Sequence, residues 1–170
     1  MDSLVPLYRD MAKDTANFRG LSIVQHRDSI KKLIKRSGAK TVLDFGCGRG
    51  DAYRSPITIH NSWQIPRKHV TLYDPAFRSS SELPRGLFDV VLCSDVLEHV
   101  PGEEVDEFVK RLFGYAKKAV WASVCCRDAK KCFPGTETNM HVCVKPYQWW
   151  HDTFAEHAPE GIQWVLVETP

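Results

Sequence analysis

Residues 42–50 read VLDFGCGRG. Apolar Val42 and Leu43 lead into Asp44 and Phe45, and glycine then recurs at positions 46, 48 and 50. This is the pattern of a buried parallel strand that ends in a tight turn, where glycine lets a ligand approach bare backbone. Further strands are predicted at 69–73, at 88–94 (FDVVLCS) and at 119–126 (AVWASVCC), with two more at 140–144 and 164–168. Helical spacing covers 22–37, closed by Gly38, then 103–115 and a short stretch at 146–157. Strands separated by helices predict an α/β fold with a mostly parallel central sheet of about six strands. The last two strands, with little helix between them, are expected to form an antiparallel edge. Two connections look trimmed. Pro56 and Pro66 leave little helix after the glycine turn, and too few residues follow the second strand for a helix and another strand.

A chain of 170 residues fits a single domain. We divide it into an N-terminal lid and helix (1–38), a ligand-binding core (39–126) and C-terminal strands with substrate-side elements (127–170). A formal net charge of +2 does not favour nucleic acid as a partner. The sequence has no run of about 20 apolar residues to span a membrane, and its start lacks the basic and apolar pattern of a signal peptide. The six cysteines are dispersed, one of them in the glycine turn and two adjacent, as in a reduced cytoplasmic protein. Oligomeric state stays open.

The turn does not suit phosphate. A dinucleotide fingerprint needs a third glycine at position 51, where Asp51 stands and its charge would oppose a pyrophosphate. A P-loop needs Lys followed by Ser or Thr, and Arg49-Gly50-Asp51 has neither. S-adenosylmethionine carries no phosphate but has a sulfonium and an ammonium cation. Asp44 at the strand end can complement that ammonium, directly or through water. Asp74 ends the next strand, where a carboxylate accepts ribose hydroxyls.

VLDFGCGRG, LYDP and FDVVLCSDVLEHV together resemble the successive motifs of class I S-adenosylmethionine-dependent methyltransferases. The likeness runs from Thr41 to about Cys126. The N-terminal helix and FPGTETNMHVCVKPYQWW are similar to small bacterial and phage members. The resemblance implies a Rossmann-like class I methyltransferase fold with S-adenosylmethionine as methyl donor. Cofactor positions then fall on Asp44, Phe45, Gly46, Cys47, Gly48, Asp74 and Pro75. Asp95 and Val96 fall where the cofactor meets the substrate pocket. With the usual adenine loop missing, Pro75, Ala76 and Phe77 are expected to pack on the ring.

Methyl transfer needs an aligned nucleophile and exclusion of water. His99 is the first candidate base, or else it packs the turn before Pro101. His141, on one face with Asn139, is the second, or else it sits at a sheet edge. Tyr8 and Phe18-Arg19-Gly20 are candidates for a lid. Asp95, Glu98, His99 and His141 also form an oxygen and nitrogen set for a divalent metal, at a spacing that resembles metal-assisted O-methyltransferases. Metal is not the favoured reading. Tyr147, Trp149 and Trp150 are read as core. The preferred function is methylation of a small-molecule or saccharide acceptor. The alternatives are a metal-assisted RNA 2′-O-methyltransferase and a non-catalytic S-adenosylmethionine-binding partner protein.

Overall fold

The computed structural model describes residues 4–169. Five strands form one sheet: β1 (Val42–Phe45), β2 (Val70–Tyr73), β3 (Phe88–Ser94), β4 (Ala116–Val124) and β5 (Gln163–Glu168), in the order β2-β1-β3-β4-β5. Every neighbouring pair is parallel. Parallel strands covered on both faces should be apolar throughout, and β1 is buried at all four positions. Because side chains alternate, Leu43, Phe45, Val91 and Cys93 enter one core, while Val42, Val90, Leu92 and Trp121 enter the other.

Helix α2 (Arg27–Ser37) supplies Ile30, Leu33 and Ile34 to the second core. It stops at Gly38, whose left-handed φ of 60° allows Ala39 to donate to the Ile34 carbonyl. Helix α4 (Val105–Tyr115) opens on Asp106 and Glu107, which suit its positive end. It buries Val105, Phe108, Val109, Leu112 and Phe113 against the first core. Helix α5 (Tyr147–His157) buries Trp150 and Phe154 beside it. Helix α1 (Val5–Met11) belongs to neither layer. It joins a third cluster, where Met11 meets Phe133 and Met140 above the strand ends.

The α/β class, the parallel sheet and both trimmed connections are as expected. Between the glycine turn and β2 the chain forms only two 3-10 turns (Asp51–Tyr53 and Arg67–His69) and the four-residue α3 (Ile59–Ser62). Between β2 and β3 it forms only a 3-10 turn (Arg78–Ser80). Two expectations are corrected. The sheet has five strands among the described residues, because 140–144 is not a strand. Its amides bond elsewhere: Met140 donates to the Lys131 carbonyl and Cys143 to that of Glu98. The C-terminal edge is parallel, because α5 is a full crossover that carries the chain back before β5 begins. Among the described residues, no helix is long and apolar enough to cross a membrane.

Phe154 is fully buried, edge-on to Phe113 with ring centroids 5.7 Å apart. Phe154→Ala should lower the unfolding free energy by about 3–5 kcal/mol in urea titrations. Leu83→Ala, at a side chain 58% exposed, should change it by less than about 0.5 kcal/mol. Equal effects would contradict this assignment of the core.

Candidate active site

In the strand order β2-β1-β3 the chain leaves β1 toward opposite sides, and ligands of open α/β sheets bind at such a switch point, at the strands' carboxyl ends. A cavity of about 380 Å³ lies there. Gly46 and Gly48 line it after β1, Asp74, Pro75, Ala76 and Phe77 after β2, and Ser94, Asp95, Val96 and His99 after β3. The N-terminal segment roofs it with Val5, Tyr8 and residues of the stretch from Ala16 to Ser22.

Hydrogen bonding holds the turn rigid. The Gly46 and Cys47 amides both donate to the Tyr73 carbonyl, at 2.7 and 3.1 Å. Gly48 donates to Asp74 Oδ2 at 2.9 Å. Arg49 donates to Phe18 O at 2.8 Å, Gly50 to Cys47 O at 3.0 Å and Asp51 to Arg19 O at 3.1 Å. Every amide of residues 46–51 therefore has a protein acceptor, and no nest of free N–H groups is left for a phosphate. The roof is bound to the same turn. Gly48 and Gly20 have φ of 56° and 70°; a Cβ on the first would overlap the Phe18 carbonyl oxygen, and on the second that of Cys47. The Arg49 guanidinium adds bonds to the Ala12 and Asp14 carbonyls.

Two carboxylates sit close beneath or beside the turn. Asp74 accepts the Gly48 and Ala76 amides, one on each oxygen at 2.9 Å, and faces the cavity. Burial raises its pKa, against the pull of those two bonds. Asp44 is only 3% exposed, does not line the cavity and accepts the Tyr53 hydroxyl at 2.9 Å. Burial pushes it up to about 7, with the Tyr53 bond opposing and the Asp74 charge assisting.

At the other end of the cavity, His99 Nδ1 lies 2.9 Å from the Met140 carbonyl oxygen. A carbonyl only accepts, so Nδ1 carries the proton and the lone pair is on Nε2. The Tyr8 hydroxyl donates to the same carbonyl at 3.0 Å. Burial depresses the His99 pKa to about 4, partly offset by the Met140 bond. Its ring stands edge-on to that of His141, with centroids 4.9 Å apart. His141 Nδ1 lies 2.6 Å from the Arg127 carbonyl, which again leaves the lone pair on Nε2. Asn139 clips this loop, exchanging bonds with Ala129 and accepting the His141 amide. Glu98 is fully buried. Its Oε1 accepts the Cys125 amide at 3.1 Å, and its Oε2 has no partner among the described residues.

A family model described as a methyltransferase domain matches residues 20–165. The chain therefore belongs to that family, and is a class I methyltransferase of the S-adenosylmethionine-dependent type. Neither the search of curated proteins nor the search of solved structures found a match.

Of the residues singled out in the sequence, Gly46, Gly48, Asp74, Pro75, Asp95, Val96 and His99 converge on the cavity. Asp44, Phe45 and Cys47 do not line it. Phe45 points into the core against Tyr73 and Phe108, and the buried Cys47 thiol, pushed far up by desolvation, is held in its neutral form. His141 stands behind His99 rather than in the wall. The lid residues Tyr8, Phe18, Arg19 and Gly20 all line the cavity. Asp95 lies outside the grouped ligand atoms, which come from Glu98, His99 and His141; its Oδ1 accepts the Ser123 and Thr169 hydroxyls at 2.8 and 2.6 Å. Sequence reasoning missed Tyr53 as the partner of Asp44, and the hydroxyl pair of Ser22 and Ser94, 3.2 Å apart. Only tertiary contact reveals either.

A carboxyl whose folded pKa exceeds its unfolded value contributes stability fully below about pH 4, and loses it as pH rises through the folded value. For Asp44 that value is about 7. Asp44→Asn keeps an acceptor for Tyr53, so the unfolding free energy of the variant should fall by a few kcal/mol less than that of wild type across this window. Urea unfolding at several pH values measures it, and an identical slope in both proteins contradicts the assignment.

Proposed function

We propose that the protein transfers the methyl group of S-adenosylmethionine to a small-molecule acceptor, a saccharide being one such class. The observation that carries this reading is the convergence of the glycine turn, Asp74 and His99 on one roofed cavity. S-adenosylmethionine, when bound, supplies a methyl already activated on a sulfonium. What remains for the chain is to bind, orient and keep water out.

Asp74 is fixed by two amides yet keeps lone pairs toward the cavity, and accepts the ribose hydroxyls. Pro75, Ala76, Phe77 and Val96 supply an apolar slot for the adenine, with Arg49 stacked 5.2 Å from the Phe77 ring centroid. Asp95 is the other carboxylate in the wall. It lines the cavity, which Asp44 does not, and is therefore the better placed of the two to face the positive charge of the donor. The Nε2 lone pair of His99 faces the acceptor side. Tyr8 closes that side and locks the His99 tautomer through the shared Met140 carbonyl.

The lining also favours a small acceptor. Its single cation among the described residues, Arg19, is engaged by Asp51 at 3.0 Å, so the lining itself offers no unpaired cation to a nucleic-acid backbone. Titration calorimetry should show S-adenosylhomocysteine binding to the wild-type protein. Asp74→Ala should weaken it about tenfold or more, equivalent to about 1.4 kcal/mol. Labelled methyl should appear in the low-molecular-weight fraction of an extract. No S-adenosylhomocysteine binding contradicts the donor, and label confined to RNA contradicts the acceptor class.

A further inference from the structure

Beside His99 in the cavity wall stand two side chains, Glu98 and His141, that the reading above leaves unexplained. Glu98, His99 and His141 each offer a ligand atom, and these atoms lie within 4.8 Å of one another. Each is prepared in the same sense. His99 and His141 both spend the Nδ1 proton on a backbone carbonyl, of Met140 and Arg127 respectively, so both present an unprotonated Nε2. A carbonyl that fixes the tautomer and ring orientation in this way is the usual outer support of a metal-binding histidine. Glu98 is fully buried with Oε2 unpartnered, an arrangement that costs stability unless something takes that oxygen. The supports also hold one another. Cys125 donates to Glu98 Oε1, Cys143 donates to the Glu98 backbone carbonyl, and Asn139 clips the loop that carries His141.

We propose that Glu98, His99 and His141 bind a divalent cation of the zinc, cobalt or manganese type at the edge of the cavity. Two imidazoles with one carboxylate suit such ions better than magnesium, which prefers oxygen ligands throughout. Metal–ligand bonds of about 2.0–2.2 Å around a tetrahedral centre set the ligand atoms roughly 3.3 Å apart. Closing from the present separations takes shifts on the scale of side-chain rotation, and His141, only half-buried, has room for them. Three protein ligands leave a coordination position open toward the cavity that His99 lines.

Resting on the methyltransferase reading above, this site narrows the acceptor to a hydroxyl compound. A hydroxyl oxygen in the open position loses its proton to solvent water more easily. That oxygen then bonds to the methyl carbon as the carbon–sulfur bond breaks and its electron pair passes to sulfur. The products are a methyl ether, S-adenosylhomocysteine and the released proton. Asp95 takes no part, since Ser123 and Thr169 hold its Oδ1.

The test is titration of chelator-treated protein with Co²⁺, followed by its visible d–d absorption, with S-adenosylhomocysteine affinity measured in parallel. Wild type should bind one Co²⁺ per chain with the absorption of a low-coordinate nitrogen and oxygen site. Glu98→Gln and His141→Ala should each lose at least about tenfold in Co²⁺ affinity. The His141 variant, at a half-buried side chain, guards against a folding artefact at Glu98. Absent Co²⁺ binding, or affinity unchanged in both variants, overturns the metal site. If S-adenosylhomocysteine still binds in that case, the methyltransferase reading stands without the metal. If S-adenosylhomocysteine fails to bind while Co²⁺ does, that reading falls instead.

Discussion

The site depends on one constraint: the protein itself consumes every amide of the glycine turn. Tyr73 and Asp74 of the neighbouring strand take three of them, Phe18 and Arg19 of the roof take two, and Cys47 takes the sixth. An α/β fold that binds phosphate leaves such amides free and adds a helix dipole behind them. Here both are absent. The turn is followed by a single 3-10 turn that begins on an acid, Asp51. The cavity wall therefore carries Asp74, Asp95 and the Asp51-paired Arg19 as its charged groups among the described residues. The two carboxylates oppose a nucleotide phosphate and match the cationic donor proposed above.

The same bonds explain how a fold with two trimmed connections still encloses a cavity. The space left by the missing helix and strand is closed by the N-terminal segment. Strand-like bonds from Arg49 and Asp51 tie this segment to the turn, and Met11, Phe133 and Met140 tie it to the C-terminal loop. The Met140 carbonyl serves both sides, accepting from Tyr8 of the roof and from His99 of the wall. One carbonyl thus ties the roof to the oriented histidine.

The sequence made the cavity end of the sheet legible because its signals are local. Glycines at 46 and 48, an acid closing the second strand and an aromatic N-terminal segment each carry their meaning within a few residues. Orientation was harder to read. Asp44 lies near the end of β1 and Asp74 just past β2, but alternation and the bond from Tyr53, in the 3-10 turn that follows the glycines, turn Asp44 away from the cavity. The alternating residues 140–144 imitate a strand, yet their amides are spent on Lys131 and Glu98 carbonyls. The pattern at 146–157 marks α5 at nearly its observed bounds, so the antiparallel expectation comes from the false strand at 140–144 and not from the helix; β5 instead pairs β4 across α5. Nothing local distinguishes Asp95 from Glu98 as a ligand. Only the hydroxyls of Ser123 on β4 and Thr169 just after β5 do so.

The most direct test of the account is a crystal structure of the protein with S-adenosylhomocysteine. The account predicts both ribose hydroxyls within hydrogen-bonding distance of Asp74, the adenine between Phe77 and Val96, and the sulfur facing His99 beneath Tyr8. A ligand whose ribose lies away from Asp74, or whose sulfur is turned from His99, would contradict it.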